Sequence, residues 1–573
     1  MKYQIKSILV FCTLVIFNSP FGFGQRIDQA VIQKLKSAEF VKVIVVLKEQ
    51  ANVALAASIR GKSEKAIYVH NMLQQTAERS QKEVTSYLFR KGFNYTSYNI
   101  VNAISVKADL ETIDWLSNRP EVFQIIEDQD MPAERYFLTD GNVSMRSPEP
   151  TWGITNIGAD QLWEKGFRGQ GVVIGGQDTG YSWNESPIKS KYRGYVSDSI
   201  VDHNYNWHDA IHTISPLNSD SLNPCGLDIK QPCDDNNHGT HTMGTMVGSD
   251  TNVVIGVAPE ATWIGCRNME RGWGAPSTYL ECFQWFLAPT DLNGLNPDPT
   301  KAPHVINNSW GCPEIEGCNP SNWGLMRQAI INLRAAGTFV VVSAGNDGPN
   351  CSTINSPAAI FEESFSIGAY ASTNVIANFS SRGGVTADSS FRVKPNVSAP
   401  GVGVLSVIPG GRIVSFSGTS MAGPHVAGLV ALLISANPNL AGEVELLEDI
   451  IEQSAIPTVA EKSCNEIDTT AVPNTTYGHG RINAIKALER ALVSKVDQGN
   501  ISQVAIFPNP SNGQMFVTGM DVKSFELYDV SGRLIRNAKS NTNYLDFGIL
   551  KQGTYMLRLQ GNDEVITKQI VIF

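Results

Sequence analysis

After residue 25 the chain contains no run of about 18 consecutive apolar residues, the length a helix needs to span a bilayer, so no stable membrane span is expected. It contains no Cys-x-x-Cys pair, and its cysteine spacing does not resemble a zinc ribbon. It lacks a surplus of positive charge: 45 Lys and Arg face 55 Asp and Glu, a net charge of -10. A nucleic-acid surface would be basic, so that class of partner is excluded, and the acidity is read as solubility. Charged residues make up 17% and hydrophobic residues 42% of 573 residues, which suits several globular domains with ample core.

Nine cysteines are present. Cys12 falls in a segment expected to be removed, which leaves an even number in a chain that reads as exported. That favours disulfides over free buried thiols. Cys225/Cys233 and Cys312/Cys318 are close enough to staple single loops, and the full connectivity stays open.

The chemistry gathers around Phe416 to Gly428. Ser420 lies between a Gly-containing turn and an apolar run, Leu429 to Ile434, that reads as a buried helix. Ser420 is then expected at a helix N-terminus, where unpaired N–H groups favour an anion forming beside it. A lone Ser in this setting is more often a cap. A nucleophile needs a base and the base a carboxylate, and two upstream segments supply them. Gly171 to Gly180 is an apolar run ending in Asp178, expected at the C-terminal end of a central parallel strand, where open α/β sheets carry their sites. Asn237 to Gly244 reads as a loop entering a helix, with His238 at its start. The order Asp, His, Ser differs from that of chymotrypsin-like enzymes and of α/β-hydrolases. A lipase or esterase elbow is also excluded, because Ser420 sits in Gly-Thr-Ser-Met-Ala with Asp178 and His238 before it.

On these residues the chain resembles the subtilases, the subtilisin-like serine peptidases. Gln177 to Gly180, His238 to His241 and Gly418 to Ala422 match that family's three catalytic blocks, and Ser343 to Gly348 matches its oxyanion segment. The resemblance runs from about Trp152 to Leu492. Asn204 to Asp209, Cys282 to Thr290 and Asn307 to Gly311 make it most like the bacillopeptidase F-like group. It implies Ser420 as nucleophile, His238 as base, Asp178 as its orienting carboxylate and Asn346 as oxyanion donor. It also implies that Asn307, Asn308, Ser309, Trp310 and Gly311 pair with the substrate backbone as an edge strand. Protein or peptide substrates follow, and no cofactor or metal. Calcium binding is unsupported, because the loop Gly248 to Ile255 is short for the family's calcium loop. The run Lys394 to Gly401 has Asn where many relatives have Asp, and the run Ser380 to Gly384 has Gly where relatives often have Pro, neither touching this chemistry. The other function class is a catalytically silent, exported binding protein on the same scaffold.

The fold class expected is α/β: a subtilisin-like parallel sheet with helices on both faces, preceded by a small α+β domain and followed by a small β-sandwich. Strands are expected at Val172 to Ile174, Trp263 to Cys266, His304 to Ile306, Phe339 to Ser343, Ser366 to Gly368 and Gly403 to Ser406. Residues 1–24, with Lys2, Lys6 and the apolar run Ile8 to Phe17, read as a secretory signal peptide. Residues 25–130 show a strand–helix–strand–helix–strand order and resemble an inhibitory propeptide, which would make the chain's own propeptide a partner. Residues 131–150 read as an exposed processing linker, 151–492 as the peptidase domain and 493–500 as a second linker. Residues 501–573 are short alternating strands that resemble the sorting domain of type IX secretion cargo. The expected location is therefore secreted or cell-surface.

Overall fold

The structure, a computed structural model, describes residues 26–572 apart from 129–130, 133–136, 141–146, 216, 219–221, 312–319, 461–463, 465–469, 495–503, 508, 510, 512, 519, 531, 541, 563 and 564. The expected signal peptide, the expected second linker from residue 495 and the Cys312/Cys318 pair lie outside the described residues.

The first unit is a four-stranded antiparallel sheet with helices. Its elements are β1 (Phe40–Leu47), α1 (Lys62–Lys91), β2 (Tyr95–Tyr98), β3 (Ala103–Asp109), α2 (Leu110–Ser117) and β4 (Val122–Glu127), with strand order β2-β3-β1-β4. Helix α1 stops at Gly92, which takes the left-handed conformation (φ 80°) and returns its N–H to Leu88 and Phe89 carbonyls. Alternation along β1 divides its side chains between two cores. Val43, Val45 and Leu47 build the unit's own core, whereas Ile44 joins a second core that extends into the next unit.

Two short strands follow, β5 (Met131–Pro132) and β6 (Phe137–Asp140), and residues 147–150 form another. The segment read as an exposed linker is therefore strung along the following unit by backbone pairing. Its turn-rich composition did not reveal that its partners are exposed strand edges.

The large unit is built on β7 (Val173–Asp178), β8 (Trp207–Asp209), α3 (His238–Val247), β9 (Thr262–Arg267), β10 (Trp273–Gly274), α4 (Pro276–Leu287), β11 (Val305–Asn308), α5 (Pro320–Ala335), β12 (Phe339–Ser343), β13 (Phe365–Tyr370), β14 (Val397–Pro400), β15 (Val404–Ile408), β16 (Arg412–Ser417) and α6 (Thr419–Ala436). Seven strands form one parallel sheet in the order β8-β9-β7-β11-β12-β13-β14. Neighbouring residues face opposite layers. Trp263, Val305 and Val341 enter the core shared with α3 and α6. Ile264, Ile306, Val340 and Val342 enter the core shared with α4 and α5. Both faces are thus covered, as a parallel sheet requires. Helix α6 is long and apolar enough to cross a membrane, but 89% of it is buried inside the fold. It is a core helix, apolar all round because protein surrounds it.

One expected strand is corrected. Gly403 to Ser406 is not in the parallel sheet: Val404–Ile408 forms an antiparallel hairpin with β16. The sheet edge is instead β14, whose sequence Val-Ser-Ala-Pro is too short and too polar to stand out. The first unit covers α4 and α5: Tyr68, Val69, Leu73, Tyr98, Ile100 and Ile126 share their core.

After these, β17 (Ala505–Phe507), β18 (Gln514–Thr518), β19 (Ser524–Asp529), β20 (Leu534–Lys539), β21 (Tyr544–Asp546), β22 (Gly553–Gln560) and β23 (Val565–Ile572) make a three-stranded and a four-stranded antiparallel sheet around a separate core. Three disulfides are described, Cys225–Cys233, Cys266–Cys282 and Cys351–Cys464. The first is the local staple expected. The second ties β9 to α4, the helix packed on it.

Candidate active site

Strand β7 ends at Asp178, and helix α3 begins at His238. Asp178 Oδ1 accepts from His238 Nδ1 at 2.8 Å and from the Thr179 N–H at 2.7 Å. Each of these two side chains is 1% exposed. A carboxylate on Nδ1 fixes the proton there, which leaves Nε2 as the basic nitrogen of the neutral ring.

The two segments are held to each other by Asp234, which lies four residues before His238. Asp234 Oδ1 accepts from Thr179 Oγ1 at 2.9 Å and from the Asn236 and Asn237 N–H groups. Its Oδ2 accepts from the Thr240 N–H at 2.9 Å and Thr240 Oγ1 at 2.6 Å. Burial pushes its carboxyl pKa up, opposed by these donors. Asp234 therefore ties together the segments that carry both catalytic candidates. Sequence reasoning passed over it, although an acid shortly before a helix start is a recognisable capping signal. Asp234→Ala is expected to lower kcat by about 10–10² with KM little changed, the scale of a misplacement near 1 Å. Steady-state kinetics check it, and a rise in KM at unchanged kcat would make the residue a substrate contact instead.

Ser420 follows Gly418 and Thr419 at the start of α6 and is fully buried in this state. Its carbonyl accepts from Ser309 Oγ at 3.0 Å, and Ser309 Oγ accepts in turn from Asn307 Nδ2 at 2.9 Å. Asn346 lies just beyond the end of β12. Its Oδ1 accepts from the Thr419 N–H at 2.9 Å and from Thr419 Oγ1 at 3.0 Å. Because a backbone N–H can only donate, the amide orientation is settled and Nδ2 faces the other way. A Cβ built on Gly418 would lie 3.5 Å from Asn346 Nδ2 and 3.7 Å from the Ser420 nitrogen. Asn346 Nδ2 and the Ser420 nitrogen are thus the two atoms nearest that point, with Asn346 Oδ1 next at 3.8 Å.

His241, one turn after His238, is a structural histidine: burial lowers its pKa to about 3, its Nε2 meets the Val404 carbonyl at 3.1 Å, and its ring stacks on Phe416.

The substrate-strand expectation is corrected in part. Asn307 and Asn308 lie in β11, which is internal to the sheet and paired on both sides by β7 and β12. Their backbones have no pairing capacity left for a substrate. Asn307 and Ser309 instead brace the Ser420 carbonyl. Asn308 Nδ2 donates to the Val341 carbonyl at 3.0 Å. Trp310 is 1% exposed and stacks on Tyr279, ring centroids 4.0 Å apart. Of the five, Gly311 is the one that is neither in the strand nor buried.

Two free edges that sequence reasoning missed hold the chain's own segment. Strand β5 pairs antiparallel with β10, Trp273 opposite Pro132 and Gly274 opposite Met131. Strand β6 pairs antiparallel with β16, Ser417 opposite Phe137 and Phe416 opposite Leu138. The second of these edges ends three residues before Ser420. Among the described residues no group of three or more His, Cys, Asp or Glu side chains is disposed to hold a metal ion.

Three family models match the sequence. The Subtilase family matches residues 169–480, the Peptidase inhibitor I9 model residues 42–134, and the Secretion system C-terminal sorting domain residues 505–573. The chain is 33% identical over 508 residues to Bacillopeptidase F of Bacillus subtilis (strain 168), covering 82% of this chain and 33% of that protein. It therefore spans about a third of that relative's length. It is 31% identical over 294 residues to Subtilisin DY of Bacillus licheniformis, covering 51% of this chain and 86% of the relative. To Alkaline elastase YaB of Bacillus sp. (strain YaB) it is 28% identical over 344 residues, covering 60% of this chain and 71% of the relative.

Proposed function

The chain belongs to the subtilase family, and we propose that it is a secreted serine endopeptidase made as a zymogen. The Asp178–His238 contact at 2.8 Å, together with Asn346 Nδ2 and the Ser420 nitrogen lying 3.5 and 3.7 Å from one point, supports this reading. Ser420 Oγ attacks the peptide carbonyl carbon, and its proton passes to His238 Nε2. Asp178 stabilises the imidazolium that results. The oxyanion is held by Asn346 Nδ2 and the Ser420 N–H. Collapse breaks the C–N bond, the amine leaves with the proton from His238, and water hydrolyses the acyl-enzyme by the reverse proton path.

Residues 25–130 act as the inhibitor. In support, they cover α4 and α5, and they place Asp128 Oδ1 3.0 Å from the Ser277 N–H in the first turn of α4, where the helix dipole favours a carboxylate. Asn332 Nδ2 donates to the Ile100 carbonyl at 2.6 Å, and Lys65 pairs with Glu443 at 2.9 Å. The bond cut in maturation is assigned between Pro132 and Phe137, because β5 pairs with β10 before it and β6 pairs after it with the strand that ends three residues before Ser420. Residues 501–573 direct export by the type IX secretion machinery, after a first crossing on the signal peptide, to the medium or cell surface.

Labelling of the mature protein with an active-site serine reagent, followed by N-terminal sequencing, tests this. The label is expected on Ser420 and the mature N-terminus at one of residues 133–137. An unlabelled Ser420 would leave the silent-binder reading. A start outside residues 133–137 would displace the assigned bond.

A further inference from the structure

The C-terminal unit carries an aromatic face that its own sheets do not bury. In β18, Met515 and Val517 enter that unit's core. Alternation turns Phe516, between them, to the opposite face. An outward Phe on a small sheet should be exposed, yet Phe516 is 1% exposed. Its cross-strand partner is Tyr544 on β21, with ring centroids 5.0 Å apart. Helix α1 of the first unit covers the pair. Tyr68 meets Phe516 edge to face, centroids 5.6 Å apart at 89°. Asn71, on the same helix face at i+3, hydrogen-bonds the Tyr544 phenol, whose pKa burial pushes up to about 12. Helix α1 also grips the large unit, through Lys62 Nζ on the Ala302 carbonyl at 2.9 Å and through Lys65 on Glu443. It is thus held between the peptidase unit and the C-terminal unit.

We propose that the Phe516–Tyr544 face is a binding surface for α1, by which the C-terminal unit clasps the inhibitory unit onto the peptidase. Release of the inhibitory unit and uncovering of this face are then one event. The inference rests on the reading of the first unit as an inhibitor. Cutting between Pro132 and Phe137 leaves the inhibitory unit held only by surface contacts, of which the clasp is one. An edge-to-face aromatic pair contributes at the level of a few-fold in a dissociation rate, so the clasp sets how long inhibition outlasts the cut.

Two measurements on the full chain test it. In a Ser420→Ala background, where no cutting is expected, Tyr68→Cys with Phe516→Cys should be joined by a short bis-maleimide, and Tyr68→Cys with Val530→Cys, at an exposed turn of the same unit, should not. Equal joining of both pairs overturns the contact. In the active chain, the lag between the first cut and full activity is then timed. Phe516→Ala with Tyr544→Ala should shorten it by about 2–10-fold, and Tyr544→Phe, which loses only the hydroxyl, by less. Neither side chain belongs to the unit's own core, so the variants should fold. A lag equal to that of the parent overturns the clasp. A parent with no lag at all overturns the inhibitor reading instead.

Discussion

Ser420→Ala is expected to abolish peptide hydrolysis, with a loss in kcat of about 10⁶, the scale seen when the nucleophile of a subtilisin, a relative, is removed. The change should leave the fold intact. Ser420 is positioned through its backbone, its carbonyl accepting from Ser309 Oγ at 3.0 Å. Removing one oxygen from the first turn of an 18-residue buried helix disturbs little packing. The same variant should also stay uncut between Pro132 and Phe137, because that cut is assigned to the chain's own serine. Activity on a peptide substrate and the intact mass of the purified protein read both effects. Residual activity within about tenfold of the parent would be far above what loss of a triad member leaves, and would remove Ser420 from the mechanism. An inactive variant that is nevertheless cut at the same bond would assign maturation to another protease.

The parts of the site carried by short-range pattern were legible in the sequence. Asp178 ends an apolar strand, His238 starts a helix after a polar loop, and Ser420 starts a helix after a glycine turn. Each has a local reason that composition exposes. The segment Phe339 to Ser343 was legible as a strand because it is an unbroken β-branched and aromatic run buried on both sides. What failed was long-range. Trp273–Gly274 is a two-residue strand with no periodicity, and its importance lies in the edge it leaves free for Met131 and Pro132. Trp207–Asp209 is hidden in a polar insertion and becomes a sheet edge through pairing with β9. The resemblance alone puts Asn307 and Asn308 at an edge, whereas they are buried, with their amides bonded to Ser309 and to the Val341 carbonyl of the next strand. Cys351 and Cys464 are 113 residues apart, so their pairing depends on the folded topology.

Asn346→Ala is expected to lower kcat by about 10²–10³, or 2.7–4 kcal/mol, with little change in KM. The size is that of the corresponding donor in a subtilisin, and it is carried over from that relative. The direction follows from the geometry. The Thr419 N–H fixes Oδ1 at 2.9 Å, which leaves Nδ2 to face the space shared with the Ser420 nitrogen. A ground-state carbonyl needs that donor little. A tetrahedral oxyanion needs it in full, so the loss should fall on kcat and kcat/KM together. The truncation has a second effect, since it also removes the acceptor that anchors Thr419 beside the nucleophile. Asn346→Asp separates the two. The carboxylate can still accept from the Thr419 N–H, but it offers the oxyanion a negative charge in place of a donor. If donation is what matters, Asn346→Asp is at least as slow as Asn346→Ala. Recovery toward parental kcat in Asn346→Asp would show that Asn346 serves Ser420 through Thr419 alone, and a rise in KM at unchanged kcat in either variant would make it a substrate contact.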